Sequence, residues 1–263
     1  MKFLDAHCHL QDSRFGNRLD FDALRDLGIG GWVVNGTREA DWADVSRLAE
    51  EVPEVMPSFG LHPWHVDNRS SNWLTKLQEL LDSHPQAGIG EIGLDRWIEN
   101  YDTPTQEDVF LAQLELAAQQ NRPVSIHCLR AWGRMLELLQ AHPLPDRGFL
   151  LHSYGGSAEM IDAFVDLGAY FSFSGYFLHP RKAKTREIFK HVPLHRLLIE
   201  TDAPDQYLPE DLDQFGRNDL KSGKRINDPG NLVTVYESVA SLLKLSLRSL
   251  ADEMETNFTR LFR

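Results

Sequence analysis

Along the chain, short runs of apolar and β-branched residues alternate with longer stretches whose apolar positions recur every three to four residues. That is the pattern of strands followed by amphipathic helices. The short runs predict strands over 3–9, 29–35, 55–61, 87–94, 123–127, 149–152, 170–174 and 197–202. The longer stretches predict helices over roughly 18–27, 38–51, 71–82, 105–120, 130–141, 157–167 and 181–191, then 231–244 and a final one over 247–262. The fourth is the best marked: Thr103 can cap it, Pro104 suits its first turn, and Phe110, Leu114, Ala117 and Ala118 share one face. The eighth carries Leu232, Val235, Tyr236, Val239 and Leu243 on one stripe.

Strands that alternate with helices imply parallel pairing through helical crossovers. Eight such units favour a closed (β/α)₈ TIM barrel over an open doubly wound sheet. Nothing in the composition splits the chain, so residues 1–263 read as one barrel domain with an extra C-terminal helix packed on its outside. One stretch fits neither period: 204–230, rich in Pro, Gly, Asp and Lys, directly after the last strand. A barrel puts its active face there, and an irregular segment that long inside a compact domain is usually functional or disordered.

The strand ends carry the candidate chemistry. In an extended strand, His7 and His9 project to the same side with Asp5 behind them. The fourth strand presents Glu91, the fifth ends on His127, the sixth on His152 and the eighth on Asp202. Side chains at the C-terminal ends of different barrel strands converge, so these residues are expected to share one cavity. Imidazole suits zinc, iron and manganese, and carboxylate suits magnesium. Four histidines with two carboxylates exceed what one tetrahedral site needs and suggest two divalent ions, Mg, Mn or Zn, sharing a carboxylate bridge. Such a pair acidifies water and stabilises entering and leaving oxygens, which is hydrolytic chemistry.

Composition narrows the picture further. The 263 residues are 42% hydrophobic and 25% charged, ordinary for a globular protein, with a formal net charge of −12. That balance argues against a broad basic surface of the kind that grips duplex DNA, but not against a phosphate-bearing substrate met by metal ions. There is no apolar run of membrane-spanning length and no basic-then-apolar leader pattern, so a cytoplasmic address without membrane contact is expected. Cys8 and Cys128, each beside a histidine, read as reduced thiols rather than a disulfide framework, although one bridge is not excluded. No obligatory protein partner is evident.

The ordered set "HCH", "GEIGLD", "IHC", "HSYGG" and "ETDAP" resembles the TatD family of metal-dependent hydrolases and deoxyribonucleases, within the amidohydrolase-like barrels, over about residues 1–260. By that resemblance His7, His9 and Asp202 hold one metal, His127 and His152 the other, and Glu91 bridges them. Asp202 would also orient or deprotonate the attacking water, which makes Asp202 and Glu91 the expected catalytic pair. His62, in "GLHPW", matches the family's Gly-x-His-Pro segment and either faces the substrate or packs under a loop. The chain departs from the family at "HCLRAW", where Leu129 replaces the usual arginine and Arg130 follows one step later, either to meet phosphate or to stand solvated. "GLDRW" and "HSYGG" also depart, altering the walls of the site and leaving the ligands intact.

The resemblance implies a phosphodiesterase that trims nucleic acid ends. Two other functions fit the residues: a hydrolase of a small ester, amide or aminoacyl bond, and a catalytically silent scaffold. For a nucleic acid end, Trp64, Trp97 and Tyr154 are candidate stacking platforms, and Arg130, Lys221, Lys224 and Arg225 candidate cations. His62, Arg130 and Tyr154 are thus the expected substrate contacts.

Overall fold

Parallel strands covered on both faces have no polar side to show, and these have none: β1 (Phe3–Cys8), β3 (Val55–Phe59), β4 (Gly88–Asp95), β6 (Phe149–Leu151), β7 (Ala169–Ser174) and β8 (Leu197–Glu200) are buried at every position. With β2 (Ile29–Asn35) and β5 (Val124–Leu129) they form one parallel sheet in chain order. This is the computed structural model of the chain, and it describes residues 1–99 and 102–263. The sheet curls back on itself where Asp202 N donates to His7 O at 3.0 Å and His9 N to Ala203 O at 2.8 Å. Asp5 reinforces the seam by accepting from Thr201 N at 3.0 Å and Thr201 Oγ1 at 2.6 Å. The result is the expected (β/α)₈ barrel.

Helices α1 (Phe21–Asp26), α2 (Trp42–Glu51), α3 (Trp73–Ser83), α4 (Thr103–Gln120), α5 (Trp132–Ala141), α6 (Ile161–Asp166), α7 (Ala183–Ile188), α8 (Leu232–Leu243) and α9 (Leu247–Phe262) complete it. Helices α6 and α7 are shorter than their apolar spacing predicts because 3₁₀ turns at Ala158–Met160 and Pro180–Lys182 open them, and α1 and α2 each begin a few residues later than expected. The cap of α4 is Asp102, not Thr103: Asp102 has extended backbone and accepts from Thr105 N at 3.4 Å, whereas Thr103 is already helical.

The final helix meets one expectation with half its length and departs from it with the other half. Its Phe258, Leu261 and Phe262 pack against Leu4, Ala6, Val33, Met56, Leu150, Tyr170 and Leu198, contributed by six strands. Residues from that many strands meet only inside the barrel, so the C-terminal turns of α9 plug the mouth opposite the site, while Leu250, Ala251 and Met254 earlier in the helix join the outer core as expected. Cys8 and Cys128 are both buried and unbridged. No helix among the described residues is long and apolar enough to cross a membrane.

Candidate active site

Two strands break their own alternation to build the site. On β1, Leu4 and Ala6 face the barrel interior, and strict alternation would send Cys8 after them. A register shift between Asp5 and Cys8 intervenes; Cys8 joins the outer core while His7 and His9 both turn into the site. On β4 a second shift lies between Ile89 and Ile92, both outward, leaving Gly90 and Glu91 together on the inner side. Bulges of this kind re-aim side chains beside active sites. Gly93 permits the β4–β5 approach: at φ +148°, a Cβ there would lie 1.9 Å from His127 O.

Glu91 is the centre of the cluster, buried and surrounded by imidazoles. Its Oε2 lies 3.4 Å from His7 Nε2 and 3.2 Å from His9 Nε2. Its Oε1 lies 2.9 Å from His127 Nδ1, 2.9 Å from His152 Nε2 and 3.3 Å from His62 Nε2. Asp202 Oδ1 approaches His9 Nε2 at 3.3 Å and His7 Nε2 at 3.6 Å, while Oδ2 accepts from Gln206 Nε2 at 2.7 Å. All six expected ligands therefore meet at the C-terminal mouth. His62 joins them as a fifth histidine. Because His62 Nδ1 accepts from Trp64 N at 3.1 Å, its proton sits on Nε2 and points at Glu91.

Asp202 occupies the left-handed backbone region at φ +54°, and Ser153, just after His152, does so at +45°. Neither is glycine, so each conformation costs energy that the surrounding contacts must offset, a cost concentrated at functional sites.

Electrostatics follow from packing so many ionisable groups together. Burial resists charge on Glu91, but His62, His152 and His7 around it hold its carboxyl far below the usual range. Burial likewise opposes a charge on His9, and hydrogen bonds to Asp202 and Glu91 outweigh it and push that imidazole well up. His7 and His62 go the other way, burial dominating; His62 falls to about 4. Most telling, His7 Nε2 is buried and has no hydrogen-bond partner among the described residues. An imidazole nitrogen left bare amid carboxylates and other imidazoles fits a metal ion, as does the mixed N/O donor set.

Several supporting residues were given no role from the sequence, although Asp95 closes the "GEIGLD" motif. Asp95 accepts from His127 Nε2 at 3.1 Å and from Trp64 Nε1 at 2.7 Å, its carboxyl drawn down to about 2 because those bonds and His127 overcome the burial that opposes charge. Gln106 of α4 clamps the Asp95 backbone at 2.9 and 3.0 Å. Asn35 O accepts from His9 Nδ1 at 2.8 Å, which leaves Nε2 facing Glu91 and Asp202. Such partners fix the ring and tautomer of a metal-ligating histidine.

The cluster floors a cavity of about 610 Å³, walled by residues including Arg14, Arg38, Trp64, His65 and Gln206. Among the expected substrate contacts, His62 and Trp64 line it; Tyr154 does not. Tyr154 is fully buried among Trp132, Phe164 and Phe171, with its hydroxyl donating to Ser157 O at 2.7 Å, because a ring that size gains more from the core than from the rim. Arg130 lies outside the cavity wall, its guanidinium 3.7 Å above the Trp97 ring. Lys221 and Lys224 stand exposed away from the cavity, and Arg225 is held by Asp213 at 2.6 Å.

Eight parallel βα units with histidines and carboxylates gathered at the C-terminal mouth define a metal-dependent hydrolase barrel. The chain belongs to the TatD-related DNase family, whose model matches residues 4–263. It is 33% identical over 242 residues to the 3'-5' ssDNA/RNA exonuclease TatD of Edwardsiella piscicida, covering 91% of this chain and 90% of that protein. It is also 33% identical over 211 residues to YjjV of Escherichia coli, an uncharacterized metal-dependent hydrolase, covering 79% of this chain and 81% of YjjV. The crystal structure of YjjV superposes with a TM-score of 0.88 at 30% identity, covering 99% of this chain and 97% of that one.

Proposed function

We propose that this chain is a divalent-metal-dependent phosphodiesterase that trims single-stranded nucleic acid from its 3' end. The observation that carries the reading is the division of Glu91 between two donor sets, Oε2 toward His7 and His9, Oε1 toward His127 and His152. On this reading His7, His9 and Asp202 would hold one ion and His127 and His152 a second, with Glu91 placed to serve both. When bound, the two ions supply an acidified water and positive charge for the phosphoryl oxygens.

The chain's own residues do the rest. Asp202, ionised at neutral pH and oriented by Gln206, positions the attacking water and takes its proton. His62 presents its Nε2 proton inside the cavity, where it stabilises negative charge. Asp95 keeps His127 in one orientation. A cavity closed at its floor admits a strand end more readily than a duplex interior, and the relatives named 3'-5' exonucleases supply the polarity. Two buried, unbridged thiols suit a reducing compartment, and a cytoplasmic enzyme is our reading.

The test is digestion of a 5'-labelled single strand, a blunt duplex and a closed circle. Stepwise shortening of the single strand, lost in excess chelator and slowed about a hundredfold or more in Asp202→Asn, is expected. Full hydrolysis in chelator, preferential cutting of the circle, or hydrolysis of carboxylic esters with no phosphodiester cleavage defeats the proposal.

A further inference from the structure

The cavity wall and the segment that follows β7 differ in charge. Toward β1 and β2 the wall carries Asp12, Asp41, Asp44 and Asp205 against Arg14 and Arg38. Arg14 is already committed, holding Asp205 at 2.6 Å and Asp12 at 2.9 Å. A polyanion gains nothing by lying across that side.

Beyond β7 the balance reverses. Residues 179–190 contain five Lys and Arg against one acidic residue, Glu187, in a chain whose net charge is −12. Not all five are available. Arg186 donates to the carbonyls of Phe177, Leu178 and His179 at 3.1, 2.9 and 3.3 Å, and Lys190 pairs with Glu187 at 2.6 Å. Arg181 and Lys182 meet no carboxylate among the described residues; both lie against Tyr176. Arg181 Nη2 donates to the Tyr176 hydroxyl at 2.8 Å, and Lys182 Nζ is 4.9 Å from the ring centre.

This cluster connects to the catalytic cavity through aromatic rings. The His179 ring lies 5.3 Å from that of Tyr176 and 6.2 Å from that of Tyr207, and His179 Nε2 donates to Tyr207 O at 3.1 Å. Tyr207 is 42% exposed, with Arg225 standing 5.1 Å from its ring. It follows directly on Gln206, which lines the cavity and bonds Asp202.

We propose that Tyr207, His179, Tyr176, Arg181 and Lys182 form a track that carries the body of a single nucleic acid strand away from the cavity its end enters. The inference rests on the exonuclease reading and deepens it. Rings spaced along a strip accept successive bases without regard to sequence, since every base has a π-face, and Arg181 and Lys182 meet the phosphates between them. Neither cation touches the reacting end, so the track acts on affinity for long strands and leaves the chemistry alone.

The experiment compares wild type with the double variant Arg181→Ala, Lys182→Ala and with Tyr176→Ala, using a long single strand and bis(4-nitrophenyl) phosphate. For the long strand, KM is expected to rise about tenfold in each variant with kcat unchanged. The double variant's log–log salt dependence should flatten by about 1.4, since each phosphate deprived of its cation removes about 0.7 from the slope. Turnover of the small diester should not change. Equal loss on both substrates, or no loss on the strand, overturns the track. Should the enzyme cleave no nucleic acid, the exonuclease reading fails alone, and binding of a phosphorothioate strand to the metal-loaded protein decides the track. Tight binding by wild type that weakens in the double variant upholds it; no binding by wild type overturns it.

Discussion

Two polar networks are buried at the same end of this barrel, and they are built on opposite rules. In the segment 204–230 the side chains of Asp213, Arg217, Arg225, Asn227 and Asp228 all find fixed partners. Asp213 accepts from Arg225 at 2.6 Å, from Asn231 Nδ2 at 2.8 Å and from the backbone of Phe215 and Gly216 at 3.1 Å each. Arg217 is bound to Asp228, and Asn227 donates to Thr201 O at 2.8 Å. In the histidine cluster, by contrast, Glu91 alone faces five imidazoles, and His7 Nε2, buried among them, has no hydrogen-bond partner among the described residues. Buried polar groups are ordinarily satisfied, so a satisfied network is architecture and an unsatisfied one awaits a ligand. The irregular loop divides accordingly: its first residues, Asp205 and Gln206, line the cavity, and the contacts of Asp213, Arg217 and Asn227 hold the rest in place.

That contrast can be broken most easily at its centre. Glu91→Gln keeps the shape and removes the charge both donor sets share; turnover should fall at least about a thousandfold, with metal content reduced. Elemental analysis of the variant beside its turnover checks both, and near-normal rates would mean the cluster is no metal centre.

One step outward, Asp95→Asn should leave the fold stable but weaken metal affinity or activity by about 10–100-fold, since it releases His127 without removing a ligand. Calorimetric titration with the metal reads this directly; unchanged affinity would return Asp95 to a purely structural role.

In the loop the expected effect is on stability. Asp213→Asn should destabilise by about 1–3 kcal/mol and leave small-diester turnover intact. Burial opposes charge on Asp213, but its bonds to Asn231 and Arg225 hold the folded carboxyl below its ordinary value. The stabilisation is therefore complete above the ordinary carboxylate range and lost as pH falls through the lowered folded value, in a window below about pH 4. Melting curves across acid pH should show wild type losing what the Asn variant already lacks.

Smallest of all, Tyr154→Phe removes one buried hydroxyl bond to Ser157 and should cost about 1 kcal/mol of stability with no change in KM for a strand. A raised KM would put Tyr154 back at the substrate.

The sequence by itself determined the barrel and the residues that gather at its mouth. Eight apolar runs separated by helical spacing admit few arrangements, and parallel strands bring their C-terminal ends together whatever the loops do. His7, His9, Glu91, His127, His152 and Asp202 were legible as one site on that ground alone. What the tertiary structure decided is which way side chains point and what stands behind them. Strict alternation on β1 is broken between Asp5 and Cys8, and on β4 between Ile89 and Ile92, because each strand's pairing depends on a neighbour distant in sequence. For the same reason Asn35 and Gln106 gave no signal and Asp95 showed only as the end of "GEIGLD", without a role: an Asp, an Asn and a Gln become partners of His127, of His9 and of one another only once strands and helices pack. Helix α9 reads as an ordinary amphipathic surface helix until the open lower mouth of the barrel offers its phenylalanines a place to bury. A one-dimensional pattern records which residues prefer to be buried; which of them meet is fixed only when the chain closes on itself.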